Sequence, residues 1–348
     1  MHKAMGSFAA VVFAAAAASG GAMAQGALKP ASQTDWAKIG EAAKKEGRVA
    51  LYSSQVPPVL TRMKADFENA HPGITLEYSR YPSGMLNRID AERQSGADGA
   101  DVAIATEVVV LAQSPEFPDL VKKGLFKAPL GPSVAAWPSP YVIAQTAVVL
   151  SLEPIVMAYN TNAVKTPISS YQDLLRPEFR GGKIGASELA ATAVIAWYSF
   201  IEATQGADFL AKFAAQQPRM YVGAVPNTQA VASGEVAVTA FTNTTSALPL
   251  LDQGAPIKLV VPTPGFGIRY GGVLVGNTKR PNAAQVFMNY LMSVRGQVMW
   301  AGRGEAASPL PNIPGSLDAK SIHPFEPSQF PPDVQKAYRE KWDKLFKK

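Results

Sequence analysis

Between Arg48 and Glu107 the chain alternates strand and helix signals so closely that few folds other than a layered α/β one can hold it. Val49-Ala50-Leu51-Tyr52 is a short apolar run that stops at Ser53-Ser54-Gln55, and Leu60, Met63 and Phe67 follow at helical spacing. His71-Pro72-Gly73 turns the chain into a second strand, Ile74 to Tyr78. The loop Arg80-Tyr81-Pro82-Ser83-Gly84 opens a helix carrying Leu86, Ile89 and Ala91, and Ala100 to Thr106 is a third strand. Two successive βα units closed by a strand predict a parallel sheet. Such a sheet gathers its strand ends at one edge, where ligands of open α/β folds bind. A binding site is therefore expected before any chemistry is considered.

The N-terminus carries an address. His2 and Lys3 precede the apolar run Phe8 to Ala18, and Ala22-Met23-Ala24 is a small-x-small cleavage site. This is the pattern of a secretory signal peptide over residues 1–24, cleaved after Ala24. The run is too short to span a bilayer. With no cysteine in the chain, neither a lipid-anchored cysteine nor a disulfide is available. A mature chain of roughly 320 residues can instead bury about three quarters of its unfolded surface. A soluble, periplasmic protein is expected. The net charge of +6 is mild, and the lysines of the C-terminal stretch belong to an amphipathic helix with Val334, Tyr338, Trp342 and Phe346 inward. No zinc spacing or basic–aromatic interleaving points to nucleic acid, so no nucleic-acid partner is expected.

Two lobes follow from the length and from a break in the middle. Asp35 can cap a first helix running to Glu46. The proline-rich stretch Pro129 to Pro140 reads as a connection, followed by strands over Tyr141 to Leu152 and Ile155 to Tyr159. A second α/β group spans about 160–265: strands at Lys183 to Ala186 and Val236 to Phe241, and helices at Ser187 to Ala203, Ala207 to Gln216, Asn227 to Gly234 and around Leu248 to Leu251. Pro262 to Gly267 is a turn, Val273-Leu274-Val275 a strand and Ala283 to Val294 an apolar helix.

Polar clusters at the strand ends supply the candidate ligand-binding residues: Ser53, Ser54 and Gln55; Arg80, Tyr81 and Ser83; Thr106 and Glu107; Ser187 and Thr192; Asn243, Thr244 and Thr245. Helix N-termini offer unpaired N–H groups and a positive dipole end, which suit an anion. Hydroxyls and amides add donors, and Arg80 or Arg269 can hold a carboxylate or phosph(on)ate in a bidentate pair. The competing role of each Ser and Thr is helix capping, and that of Arg269 an inter-lobe ion pair. Tyr81, Trp197 and Tyr270 can pack on an organic body or belong to the core.

Several segments resemble the periplasmic solute-binding proteins of ABC transporters, in the branch of ferric-iron, phosphonate and sugar-phosphate binders. They are Val49 to Ser54, Phe67 with His71 to Ile74, Glu92 to Gly96 with Ala100-Asp101-Val102, Ile155 to Thr161, Asp173 to Leu175 with Pro177 to Gly181, Lys279 to Ala284 and Ser293 to Gln297. The resemblance covers about 48–300, in the family's order. It implies a type II, two-lobe fold with a hinge of crossing strands near 137–155 and 264–272. Residues 25–137 and 271–348 would form lobe one and 138–270 lobe two. It also implies closure over a small ligand, an inner-membrane permease as partner and a monomeric receptor. Ferric binders of this family use adjacent tyrosines after the strand that here is Val236 to Phe241; this chain has Asn243-Thr244-Thr245, whose neutral hydroxyls are poor ligands for ferric iron. No metal and no cofactor are therefore expected. No nucleophile–base set, Gly-x-Ser-x-Gly elbow or P-loop can be assembled, so catalysis is not expected. The reading is a receptor for a small organic anion (a carboxylate, phosphonate or phosphate ester). A ferric-iron or metal-complex binder and a ligand-presenting partner of a sensor kinase are the alternatives.

Overall fold

The computed structural model describes residues 27–81 and 83–347. The signal-peptide reading lies outside the described residues. Helix α1 (Gln33–Glu46) is capped by Ser32, whose Oγ accepts the Asp35 N–H at 3.1 Å and donates to the Asp35 carboxylate at 2.7 Å. Asp35 is thus the N3 partner of a reciprocal cap rather than the cap itself.

The expected βα series follows: β1 (Arg48–Ser53), α2 (Pro57–Ala70), β2 (Thr75–Arg80), α3 (Met85–Ser95), β3 (Val102–Ala105) and α4 (Thr106–Ala112). Strand β1 pairs in parallel with β2 on one side and β3 on the other. Val49, Leu51, Val59, Met63 and Phe67 meet in one core because strand period and helix period both turn them to the same layer. After α5 (Phe117–Lys122) and β4 (Phe126–Lys127), the proline-rich connection passes through two 3-10 turns to β5 (Val142–Ile143).

Strand β6 (Ala147–Asn160) is one strand of 14 residues, all buried, where two were expected. Proline normally ends a central strand, yet Pro154 is accommodated for a local reason. Its missing N–H lies on the side where Leu152 bonds to Ala307 (3.0 Å) and Val156 meets the next strand, and it falls between those two partners. The strand therefore crosses from one half of the molecule to the other without losing a ladder bond.

The second half holds β7 (Ile184–Ser187), α6 (Thr192–Gln205), α7 (Phe209–Ala214), β8 (Arg219–Tyr221), α8 (Ala224–Ser233), β9 (Val238–Thr242), α9 (Thr244–Asp252) and β10 (Ile257–Val260). Strands β8 and β10 are too short to show a period and are absent from the sequence reading. The return crossing is β11 (Gly265–Val275), which begins inside the expected Pro/Gly turn. It runs antiparallel to both β6 and β3. The strand order is β2-β1-β3-β11-β6-β9-β7-β8. The trio β8-β7-β9 beside β6 repeats the trio β2-β1-β3 beside β11, a symmetry of topology that the residues themselves do not display.

Helices α10 (Pro281–Leu291) and α11 (Val294–Ala301) pack back on the first half, with Phe67, Phe287 and Tyr290 in edge and stacked contact. The last segment differs from the expected lobe one assignment of 271–348. Strand β12 (Ile322–Pro324) pairs with β11, and α12 (Pro332–Phe346) lies on α6 and α7. Trp342 and Phe346 stack on each other there, and Tyr198 meets the first edge-on and the second at a tilt. An amphipathic face specifies that a helix is buried, not on which lobe.

Candidate functional site

The registers place the strand ends opposite each other. Ala105, at the end of β3, lies beside Gly271; Thr242, at the end of β9, lies beside Val156. Since β6 and β11 run between those points, the C-terminal ends of β1, β2 and β3 face those of β7 and β9 across the crossing. A Cβ on Gly271 would meet Val109 Cγ2 at 2.8 Å, so the glycine lets α4 sit directly on the crossing strand. Thr106 and Glu107 are thereby fixed against the hinge.

On the first wall, Ser53 is fully buried and its hydroxyl accepts the Gln55 N–H at 3.1 Å. Ser54 Oγ is buried beside the Tyr270 hydroxyl and, among the described residues, makes no hydrogen bond of good geometry. Gln55 is also buried; its Nε2 donates to Glu153 and its Oε1 accepts the Val56 N–H at 2.9 Å. Arg80 is exposed and held at one point, Nε to the Gln55 carbonyl at 3.0 Å. Among the described residues its two terminal nitrogens have no partner. Tyr81 packs its ring 4.8 Å from that of Tyr52, whose hydroxyl donates to Glu92. Ser83 is exposed in the turn before α3, and Glu107 Oε1 accepts the Gly84 N–H of that turn at 2.9 Å. Thr106 is half-buried at the first position of α4.

On the second wall, Ser187 is buried and donates to the Glu188 carbonyl at 3.2 Å. Helix α6 starts five residues later than expected, at Thr192, and the Thr192 hydroxyl donates to Gln335 of α12 at 3.1 Å. Asn243 is the N-cap of α9: its Oδ1 accepts the Ser246 N–H at 2.9 Å and the Thr245 hydroxyl at 3.0 Å. Thr244 is almost buried, and its hydroxyl bonds to no described residue. Asn243→Ala should therefore lose about 1 kcal/mol in urea unfolding. Thr244→Ala should lose much less, and equal losses would remove the distinction between cap and free hydroxyl.

On the crossing strands, Arg269 pairs with Glu326 and points Nη2 at the Phe325 carbonyl at 3.5 Å, while its Nε is buried without a partner. Glu326 also accepts from Gln113 at 3.4 Å, so this pair joins the crossing strand, the C-terminal segment and the first wall. Tyr270 sits edge-on to Trp300 at 6.4 Å; burial raises its hydroxyl far above the usual phenol range, with Glu153 adding to the rise and Arg80 opposing it. Trp197 is buried, its Nε1 donating to Tyr171 at 3.1 Å, and belongs to the core rather than to the cleft.

Sequence reading missed Glu153 and Ser151. Both are buried on β6, and Ser151 Oγ has no hydrogen-bond partner. The signal was present: a serine and a glutamate two apart inside a fourteen-residue buried run share one face of the strand. Among the described residues no three His, Cys, Asp or Glu side chains gather as a metal site. No helix among them is long and apolar enough to cross a membrane.

The fold is shared with solved proteins of low sequence identity. A substrate-binding protein of an ABC transporter from Agrobacterium tumefaciens aligns with a TM-score of 0.68 and 17% identity, over 88% of this chain and 97% of that one. The periplasmic binding protein AfuA from Actinobacillus pleuropneumoniae, with exogenous fructose-6-phosphate bound, aligns with a TM-score of 0.58 and 18% identity over 87% and 99%. Apo ferric ion-binding protein A from Pasteurella haemolytica gives 0.60 and 18% over 86% and 98%. These likenesses show the two-lobe α/β fold expected from the sequence. No curated protein sequence matches the chain. The family model of bacterial extracellular solute-binding proteins matches residues 48–304, the stretch over which the sequence resemblance runs. The chain belongs to the bacterial extracellular solute-binding proteins, a family of binding proteins rather than enzymes.

Proposed function

We propose that this protein captures a small organic anion between its two lobes and delivers it to an ABC permease in the inner membrane. The anion would be a carboxylate, a phosphonate or a phosphate ester. The observation that carries this reading is Arg80: a guanidinium anchored by one nitrogen at the strand edge, with its terminal nitrogens unpartnered among the described residues. That fork is suited to a carboxylate or phosphate. Arg269, by contrast, is taken by Glu326. The N-terminus of α9 faces the cleft from the other side, and Thr244 there offers a hydroxyl donor. Asn243-Thr244-Thr245 supplies no phenolate, which supports an organic anion over ferric iron. The sugar phosphate bound by AfuA is a ligand of the proposed class.

Ligand contacts to both walls would favour the closed arrangement, with β6 and β11 as the hinge. The permease would read the closed shape. The signal sequence would place the mature monomer in the periplasm. The test is thermal unfolding of the mature protein against carboxylates, phosphonates, sugar phosphates, amino acids, polyamines and ferric citrate. Ligand at a hundred times its Kd adds about 2.7 kcal/mol. An anion class should give the shift, and Arg80→Gln should weaken its binding by 10- to 100-fold, the worth of about 1.5–3 kcal/mol for a charged hydrogen bond. A shift with polyamines alone, or an Arg80→Gln variant that binds the anion as wild type does, would overturn the reading.

A further inference from the structure

The crossing strands carry a polar cluster that the solute-binding fold alone does not explain. Ser151 and Glu153 stand two apart on β6 and share a face. Tyr270 lies opposite Ser151 in the β6–β11 register and joins the same face. The loop after β1 covers it: Ser54 neighbours the Tyr270 hydroxyl, and Gln55 Nε2 donates to Glu153 Oε1. The same Gln55 holds Arg80 through its carbonyl at 3.0 Å. One residue thus couples the free guanidinium at the strand edge to a buried carboxyl in the hinge.

Two features of this cluster are unusual. Among the described residues neither Ser54 Oγ, which lies beside the Tyr270 hydroxyl, nor Ser151 Oγ makes a hydrogen bond of good geometry, and buried polar groups are rarely left so. Among the described residues Glu153, 5% exposed, has a single side-chain partner, Gln55, and no cation in contact. The groups around it are accounted for. Tyr270 faces it from β11. Glu305, on the segment after α11, is the charge that acts on it, and Glu305 is itself committed to Arg62 of α2 at 2.6 Å. Arg303 nearby pairs with Asp252 at 2.7 Å. On β12, His323 stacks on Phe200, and the charge acting on it is Glu326. A carboxyl buried beside a second carboxyl without a cation is held as the neutral acid.

We infer that Ser54, Arg80, Glu153 and Tyr270 form the subsite for the ligand's anionic head, with Glu153 taking part as an uncharged carboxylic acid. Each of the four presents a donor: two hydroxyls, a guanidinium fork and an acid O–H. Such a set favours an acceptor-rich carboxylate or phosph(on)ate and offers little to an amine. The inference rests on the anion-receptor reading above and assigns its charged end. Burial, reinforced by Glu305 and opposed by the Gln55 hydrogen bond, pushes the Glu153 carboxyl up to about 8. Above that pH the group becomes a negative charge facing the ligand.

The experiment is isothermal titration of the refolded mature protein with citrate, succinate, glycerol 3-phosphate and spermidine at pH 7 and pH 9. Wild type should bind at least one anion and lose about tenfold in affinity between the two pH values, as Glu153 goes from mostly protonated to mostly ionised. Glu153→Gln, which keeps a neutral donor, should show no such fall. Arg80→Gln and Ser54→Ala should weaken binding at both pH values. An anion bound with the same pH slope by Glu153→Gln, or unaffected by Ser54→Ala, would overturn the subsite while leaving the anion receptor intact; an anion unaffected by Arg80→Gln would overturn both. Spermidine bound more tightly at pH 9 and lost in Glu153→Gln would overturn both, with Glu153 acting as a carboxylate. No binding of any anion to wild type would remove the receptor reading and the subsite together.

Discussion

Asp101→Ala should cost the protein about 3–5 kcal/mol of stability, the usual loss when one partner of a buried ion pair is removed. Asp101 is fully buried at the start of β3 and receives three donors of different origin. The Ala50 N–H of β1 reaches it at 2.6 Å, Arg280 Nε at 2.7 Å, and the Thr278 hydroxyl also donates to it. It therefore joins the first strand pair to the turn that launches α10, across 179 residues of sequence. The Arg280 side chain is 7% exposed, and its remaining nitrogens are held by Asp98 at 2.8 Å and the Gly99 carbonyl at 3.2 Å. The two aspartates keep this guanidinium firmly charged, its pKa raised further above the usual arginine range. Without Asp101, a buried cation keeps only its outer partner, and a backbone N–H and a hydroxyl lose theirs. Urea unfolding followed by tryptophan fluorescence reads the loss. The double variant Asp101→Ala, Arg280→Ala should cost well under the sum of the two singles, since each single strands the other's charge. A single-variant loss below about 1 kcal/mol would mean that the network is solvated rather than structural.

Asp101 also marks how far sequence reasoning reaches. Its place at the head of the third strand is legible because Val102-Ala103-Ile104-Ala105 is a buried run with a polar start. Its partner is not legible, because nothing local in Arg280 tells which carboxylate it meets. The same limit separates the candidate site residues. Asn243 stands at the head of α9, and capping is a local interaction, so the competing role named for it can be read from the chain. Thr192 also heads a helix, but its hydroxyl is drawn to Gln335 of a segment 143 residues away. The strand ends themselves were legible, because period two and period 3.6 are written in consecutive residues. The hinge chemistry was hidden by the same logic: Glu153 and Pro154 fall in the gap expected between the strands ending at Leu152 and starting at Ile155, and only the partner strands reveal why the proline is tolerated there. Once β6 runs through, Ser151 and Glu153 fall on one buried face, and Gln55, 98 residues earlier, becomes the residue that meets Glu153.

That buried glutamate should make the protein less stable as pH rises through neutrality, the reverse of the trend set by its surface ion pairs. The unperturbed glutamate value is 4.5, and in the folded protein burial pushes Glu153 to about 8. Below 4.5 the group is protonated both folded and unfolded and costs nothing. Between 4.5 and about 8 the folded form keeps a proton that the unfolded chain gives up, so each pH unit removes about 1.4 kcal/mol. The full effect across that window is on the order of 5 kcal/mol, and above it the penalty is constant. Other carboxylates titrate in the opposite sense and lower on the scale: hydrogen bonds from Ser169 and Ser170 and the Arg176 guanidinium outweigh burial and hold Asp173 at about 2. The comparison of wild type with Glu153→Gln cancels them. The two proteins should be nearly equal at pH 5 in urea unfolding, and the variant should be the more stable by several kcal/mol at pH 9. Parallel stability curves would show that Glu153 is ionised and solvated in the folded protein, through an opening between the β1–α2 loop and the crossing strand. A divergence on the alkaline side would place a protonated acid between the Gln55 loop and β6.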